Sequence, residues 1–210
     1  MNHALIGEIA GALALLQIIP YVVSILRGHT KPERMSYFLW LIVDTMGVAS
    51  YVAVGAHTTV WVQFAFVFTG GLVFLMSIKY GIGGFSHFDL FCFAVAIAGG
   101  VLWFVSDNAL MALYFTKFVG FIGYLPTIKK VYFLPQTENT LSWGGAALSS
   151  NLNIFALNTT SFPILLPVID AALLQTFVTL LLLFPRARFT GNPWNPHKIH
   201  TFLNHPAFAR

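Results

Sequence analysis

The stretch that decides the fold is residues 20–40, PYVVSILRGHTKPERMSYFLW. A proline stands inside an apolar run, a short basic loop follows, and a serine opens a second apolar run rich in aromatic residues. A similar stretch, PTIKKVYFLPQTENTLSW, begins 106 residues later and covers 126–143. The corresponding residues are Pro20 with Pro126, and Ser36 with Ser142. The two stretches therefore predict an internal repeat.

The composition of the chain indicates a membrane protein. Of its 210 residues, 57% are hydrophobic and only 9% are charged, whereas a soluble domain carries about a quarter charged residues. This is more apolar surface than one soluble core can bury, so we expect the lipid bilayer to be a partner. The net charge is +4, but the basic residues do not form a face of a soluble domain, so no nucleic-acid partner is expected. The single cysteine, Cys92, excludes an intrachain disulfide.

Seven segments are long and apolar enough to be candidate membrane spans, because a helix needs about 20 such residues to cross a bilayer. They are 4–26, 35–54, 59–80, 87–106, 109–131, 141–158 and 163–184. Turn-forming residues separate them. Residues 185–210 contain four prolines and no sustained periodicity, which predicts an irregular tail.

The basic residues predict the orientation of the spans. Ten of the eleven Lys and Arg residues fall in the loops after the first, third and fifth spans, at the span ends that lead into those loops, or in the tail. The remaining one, Lys117, lies deeper inside a span. Cytosolic loops collect Lys and Arg. We therefore expect an extracellular or lumenal N-terminus and a cytosolic tail, with the plasma membrane as the location.

The repeat and the orientation together predict an all-α membrane protein with a 3+1+3 arrangement. Both copies place their polar loop on the cytosolic side, so the repeats are parallel. Because three spans are an odd number, one further crossing must separate the copies. The predicted parts are a first three-helix bundle (1–80), an inverted linker helix (81–108), a second three-helix bundle (109–184) and the tail (185–210).

The proline, the polar loop and the serine followed by aromatic residues resemble the PQ-loop/SWEET transporter superfamily. Tyr21 and Thr127 follow the prolines where that superfamily has glutamine. The resemblance implies two three-helix bundles with a solute path between them and alternating access by rocking. It also implies a solute-binding polar side chain on the last helix of each bundle. The nearest polar side chains on these helices are Gln175 or Asp170 in the second bundle, and Gln63 or Thr69 in the first.

Pro20 and Pro126 each lie well inside a span, where proline removes a backbone hydrogen bond and bends the helix. Their recurrence at the repeat offset predicts a hinge in each bundle, with a static kink as the alternative. Trp40 and Trp143 could stack on a ligand. Tryptophan near the end of a span is more typical of an interfacial anchor, and we expect that role for both.

Ionisable residues inside spans are costly and often functional. Asp44 lies near mid-membrane with no basic residue evident at its level, and its repeat counterpart is Ser150, next to Asn151. These polar groups predict a solute or proton-coupling site, with packing through hydrogen bonds as the alternative. Lys117 and Asp170 lie at similar depth in the second bundle, so we expect them to pair directly or through water, either structurally or as a polar lining.

We therefore expect a transporter of a small polar solute such as a sugar or an amino acid, with or without proton coupling. A seven-helix receptor or sorting protein with the same fold is the alternative. No histidine cluster lies inside a span and the tail has no nucleophile constellation, so no enzyme activity, metal or cofactor is expected. A homo-oligomer is compatible with the sequence.

Overall fold

The computed structural model describes residues 2–83, 86–106 and 108–184, and within these ranges the chain is helical with no β-strand. The α-helices are α1 His3–Leu16, α2 Ile18–Leu26, α3 Arg34–Ala53, α4 Val60–Tyr80, α5 His87–Ser106, α6 Ala109–Phe133, α7 Thr140–Ile154 and α8 Phe162–Leu183; a short 3-10 turn covers Pro135–Thr137. Each of the seven predicted segments is helical, and the first contains two helices. The predicted tail, 185–210, lies outside the described residues.

Four helical segments of the described chain are long and apolar enough to cross a membrane: His3–Leu26, Arg34–Ala53, Val60–Tyr80 and Phe162–Leu183. The first of these joins α1 and α2. Their exposed residues are largely apolar, with Phe68 at 65% and Leu173 at 66% exposed. Large apolar side chains on the outside of apolar helices are what a lipid environment requires. The helices therefore form a membrane-embedded protein.

Helix α7 differs from the span predicted over 141–158. It ends at Ile154 and has 15 residues, which corresponds to a length of about 22 Å. Its serine and asparagine residues compete for backbone hydrogen bonds and shorten the apolar run.

Pro20 and Pro126 do not have the same local effect. Pro20 cannot donate to the carbonyl of Leu16, and the helix is interrupted at Gln17, between α1 and α2. Pro126 lies inside α6, which runs without a break from Ala109 to Phe133. The first proline therefore separates two helices, whereas the second is accommodated within one.

Helices α3 and α7 begin in the same way, at positions 106 residues apart. The Glu33 side chain accepts a hydrogen bond from the Ser36 amide at 2.6 Å and caps α3. Asn139, which is 106 residues later, accepts from the Ser142 amide at 2.9 Å and caps α7. A polar side chain at this position satisfies a backbone donor that the helix leaves without a partner.

The helix packing also follows the repeat. Under the 106-residue offset, α1 corresponds to α6, α3 to α7, and α4 to α8. Helix α3 packs against α4 and α6, and α7 correspondingly packs against α8 and α1. Helix α5 packs against α6 and α3. Helices α3 and α7 therefore make equivalent contacts under this offset.

We predict that Asn139→Ala lowers the free energy of unfolding by about 1 kcal/mol, because it removes the cap of α7. Asn139→Ser retains a capping oxygen and is the matched control, for which a loss of less than about half that amount is expected. Denaturation of the detergent-solubilised protein, followed by circular dichroism, measures both. Equal losses in the two variants would contradict a capping role.

Candidate functional site

A cavity lies among α2, α3, α4, α6, α7 and α8. The volume inside it that the centre of a water-sized molecule can occupy is about 100 Å³. We call one end of the molecule the basic end; it carries the loops after α2, α4 and α6. The opposite, neutral end carries the loops 54–59 and 155–161. The side chains around the cavity form an aromatic cluster towards the basic end and a polar cluster towards the neutral end.

The aromatic cluster consists of Tyr21, Tyr37, Trp40, Tyr124 and Trp143, all of which line the cavity. The ring centroids of Trp40 and Tyr124 lie 4.6 Å apart, and those of Tyr37 and Trp40 lie 5.1 Å apart. The Trp40 indole nitrogen also donates to the Gly120 carbonyl at 3.2 Å. These contacts hold Trp40 against α6, so its ring forms a defined wall of the cavity.

Neither Trp40 nor Trp143 is an interfacial anchor, contrary to the expectation from sequence. The two side chains are only 9% and 6% exposed, and their ring centroids lie 6.3 Å apart. Position near a helix end suggested contact with the bilayer surface. The direction in which each helix face points instead brings both rings into the protein interior.

The polar cluster contains the three charged side chains of the cavity lining, Asp44, Lys117 and Asp170. They lie about 12 to 14 Å along their helices from the neutral end, at 1.5 Å per residue. The Gln63 amide nitrogen donates to Asp44 at 2.8 Å, and the Gln63 carbonyl oxygen lies 3.5 Å from the Lys117 nitrogen. One glutamine thus connects an ammonium on α6 with a carboxylate on α3.

This arrangement corrects the expectation for Asp44 and, of the two pairings expected for Lys117 and Asp170, the direct one. Asp44 does have a basic residue at its level, because Lys117 interacts electrostatically with it. Within the described residues, Lys117 and Asp170 form no direct ion pair within 4.0 Å, although their charges interact. The Lys117 ammonium lies instead 3.5 Å from the side-chain carbonyl oxygen of Gln63, a residue of α4.

Ser150 and Asn151 are adjacent in sequence but occupy different environments. Ser150 is 1% exposed, and its hydroxyl lies 3.2 Å from the Gln175 carbonyl oxygen, which places it directly behind a cavity residue. Asn151 is exposed and donates to the Ala147 carbonyl and to the Thr176 hydroxyl, both at 2.8 Å. Neighbouring helix residues point about 100° apart, so Asn151 leaves the candidate site and does not face Asp44.

Repeat-related positions contribute to the cavity in pairs. The lining pairs at the 106-residue offset are Ile18 with Tyr124, Tyr37 with Trp143, Trp40 with Ala146, and Thr69 with Gln175. Sequence reasoning missed the aromatic residues Tyr21, Tyr37 and Tyr124. The same offset, applied to every position instead of only to the prolines and serines, would have identified Tyr37 as the counterpart of Trp143.

A buried polar network closes the basic end of the cavity. Glu138 accepts from the Tyr21 hydroxyl at 2.9 Å and from the Trp143 indole nitrogen at 3.0 Å. It also forms an ion pair with Lys130, whose ammonium donates to the Lys31 carbonyl at 2.6 Å. The network connects both halves of the chain, and nothing in the sequence pattern beyond the loop charges indicated it.

Hydrogen bonds also connect the two halves at the neutral end. The Tyr51 hydroxyl donates to the Ile164 carbonyl at 3.0 Å, which joins α3 to α8. Thr58 donates to the Ala156 carbonyl at 2.7 Å, and Asn153 donates to the Thr59 carbonyl at 3.0 Å. The cavity therefore lies between two layers of contacts, one at each end.

Glu33 is a further buried carboxyl at the basic end, outside the helical spans. Burial raises the pKa of Glu33 to about 7, and the Asp89 charge adds to the shift, while the Ser36 amide and Lys130 oppose it. One of its oxygens has no hydrogen-bond partner and lies against Gly83. A side chain at Gly83 would collide with this oxygen, and the positive φ of 77° also favours glycine there.

Within residues 2–83, 86–106 and 108–184, no group of three His, Cys, Asp or Glu side chains is placed to hold a metal ion. The residues that line the cavity offer charge, hydrogen bonds and aromatic faces for binding. Comparison with protein-family models, with curated proteins and with solved structures finds no match to the chain.

We predict that Lys130→Met lowers the free energy of unfolding by about 3 kcal/mol, because it leaves the Glu138 carboxylate buried without its ion-pair partner. The double variant Lys130→Met/Glu138→Gln removes both charges and should recover most of the loss. Chemical denaturation in detergent measures these stabilities.

Lys79→Met, which removes an exposed lysine at the same end, is the matched control and should change stability by less than about 0.5 kcal/mol. A double variant that is less stable than Lys130→Met would show that Glu138 does not need Lys130.

Proposed function

We propose that the chain is a carrier of a small polar solute in the plasma membrane, and that it works by alternating access between two parallel three-helix bundles. The first bundle comprises α1 to α4 and the second α6 to α8, with α5 as the inverted linker helix. The carrier is proton-coupled or facilitative. In this proposal the basic end faces the cytosol, because Lys and Arg collect in cytosolic loops.

The observation that carries the proposal is the cavity with Asp44, Lys117 and Asp170 on its wall. Ionisable groups in membrane-spanning helices are expensive and mark solute or ion pathways. The repeat-related lining pairs support a site between two equivalent bundles, which is where transporters built from repeats bind their solutes. A site used only for packing would not need an open volume beside its charged groups.

The contacts at the two ends support alternating access. Towards the basic end, Glu138 of the second half accepts from Tyr21 of the first half. Towards the neutral end, Tyr51 of the first half donates to Ile164 of the second. Breaking one layer while keeping the other would open the cavity to one side only. The helix break at Gln17, next to the Tyr21 contact, is a place at which such a movement can occur.

We predict that the purified protein in liposomes accelerates the exchange of at least one labelled solute from a panel of sugars, amino acids and small amines. Asp44→Asn should reduce the initial rate at least tenfold, because it removes a charge from the cavity wall while keeping the side-chain size. Uptake relative to protein-free liposomes is the measurement.

Asn151→Ala is the matched control, since Asn151 is a polar side chain outside the cavity, and its rate should stay within twofold of the wild type. Solute binding without exchange would overturn the carrier and favour a receptor or sorting protein. An unchanged rate in Asp44→Asn would remove Asp44 from the pathway.

The orientation has its own test. His29 and His57 are exposed, at the basic end and the neutral end respectively. In a Cys92→Ser background, we expect a membrane-impermeant maleimide to label His57→Cys on intact cells, and to label His29→Cys only after permeabilisation. Labelling in the reverse pattern would invert the proposed orientation.

A further inference from the structure

The charges on the cavity wall do not balance. Asp44 and Asp170 are two carboxylates, and Lys117 is the one ammonium of the described lining. Lys117 is connected to Asp44 through Gln63. In the described part of the chain, no side chain or backbone group donates a hydrogen bond to Asp170. The cavity therefore contains a carboxylate whose partner is not supplied by the neighbouring helices.

An unpaired carboxylate within membrane-spanning helices is unfavourable, and such groups pair with an opposite charge or face a polar pathway. The nearest ammonium, Lys117, is already shared with the network of Gln63 and Asp44. A positively charged group in the cavity would supply the missing partner of Asp170. A neutral sugar would not change the charge balance.

The aromatic cluster provides the second half of a cation site. Ammonium groups are attracted to the faces of Trp and Tyr rings within about 6 Å of the centroid. Trp40, Tyr124 and Trp143 line the same cavity as Asp170, and they are held in place by one another and by the Gly120 carbonyl. A carboxylate beside fixed aromatic faces is suited to a small cation with an apolar surface.

We infer that the cavity takes a compact organic cation, a solute with an ammonium group and a small polar remainder, and that Asp170 is its counter-ion. This names the solute class of the proposed carrier and rests on that proposal. Gln175 and Thr69, which are 5% and 4% exposed and line the cavity at repeat-related positions, offer hydrogen bonds to the polar remainder.

The test compares choline with 3,3-dimethylbutan-1-ol, a neutral molecule of nearly the same shape, on the purified full chain. Binding is followed through tryptophan fluorescence, because Trp40 and Trp143 line the cavity. We expect choline to bind at least tenfold more tightly than the neutral alcohol. Equal affinities, no binding of choline, or displacement of choline by glucose at equal concentration would overturn the inference.

Variants assign the preference to Asp170. In Asp170→Asn the ratio of the two affinities should fall below about twofold, whereas Asp170→Glu and Asn151→Ala should keep it above fivefold. If a folded Asp170→Asn variant keeps the wild-type ratio of the two affinities, the role of Asp170 is overturned. If Asp170→Asn does not fold, the wild-type ratio together with that of Asp170→Glu decides.

The outcome is separable from that of the carrier proposal. Charge-selective binding without exchange of choline or any other solute across liposomes would overturn the carrier and leave the cation site standing. Exchange of a neutral sugar, with no preference for choline over its isostere, would overturn the cation site and leave the carrier standing.

Discussion

The placement of charge inside helices that face lipid is the constraint on which the rest of the structure depends. Lys117, Asp44 and Asp170 all belong to helices with apolar outer faces, so each must face inward. All three side chains line the cavity between the helices. Gln63 shares its two ends between Lys117 and Asp44, and this connects helices that are distant in sequence.

The same constraint applies at the basic end, with a different solution. Lys130 and Glu138 are buried as an ion pair, and the remaining hydrogen-bonding positions of the carboxylate are taken by Tyr21 and Trp143. A buried ion pair is stable only when such additional hydrogen bonds exist. Trp143 belongs both to this network and to the aromatic cluster, so the closure of the basic end is in direct contact with the cavity wall.

Much of the fold could be predicted from the sequence because membrane helices follow local rules. Apolar runs of sufficient length and the polar loops between them predicted the helical segments. The candidate site was less predictable. Asp44 and Gln175, which the sequence had indicated as candidates, line the cavity. Asn151, another candidate, faces outward, because one residue along a helix changes the direction of the side chain by about 100°. The helix is interrupted at Gln17, next to Pro20, but continues unbroken through Pro126, although both prolines lie inside predicted spans.

By itself, the sequence determined that the chain is helical, where its helices begin and end to within a few residues, and that its surface is suited to lipid, because these properties depend on local composition and length. The tertiary structure decided which polar side chains meet. Three features depend on the rotation and spacing of helices far apart in the chain, which no local pattern specifies. They are the contact of Lys117 with Gln63, the absence of a direct partner for Asp170 among the residues that the structure describes, and the convergence of hydrogen bonds on Glu138.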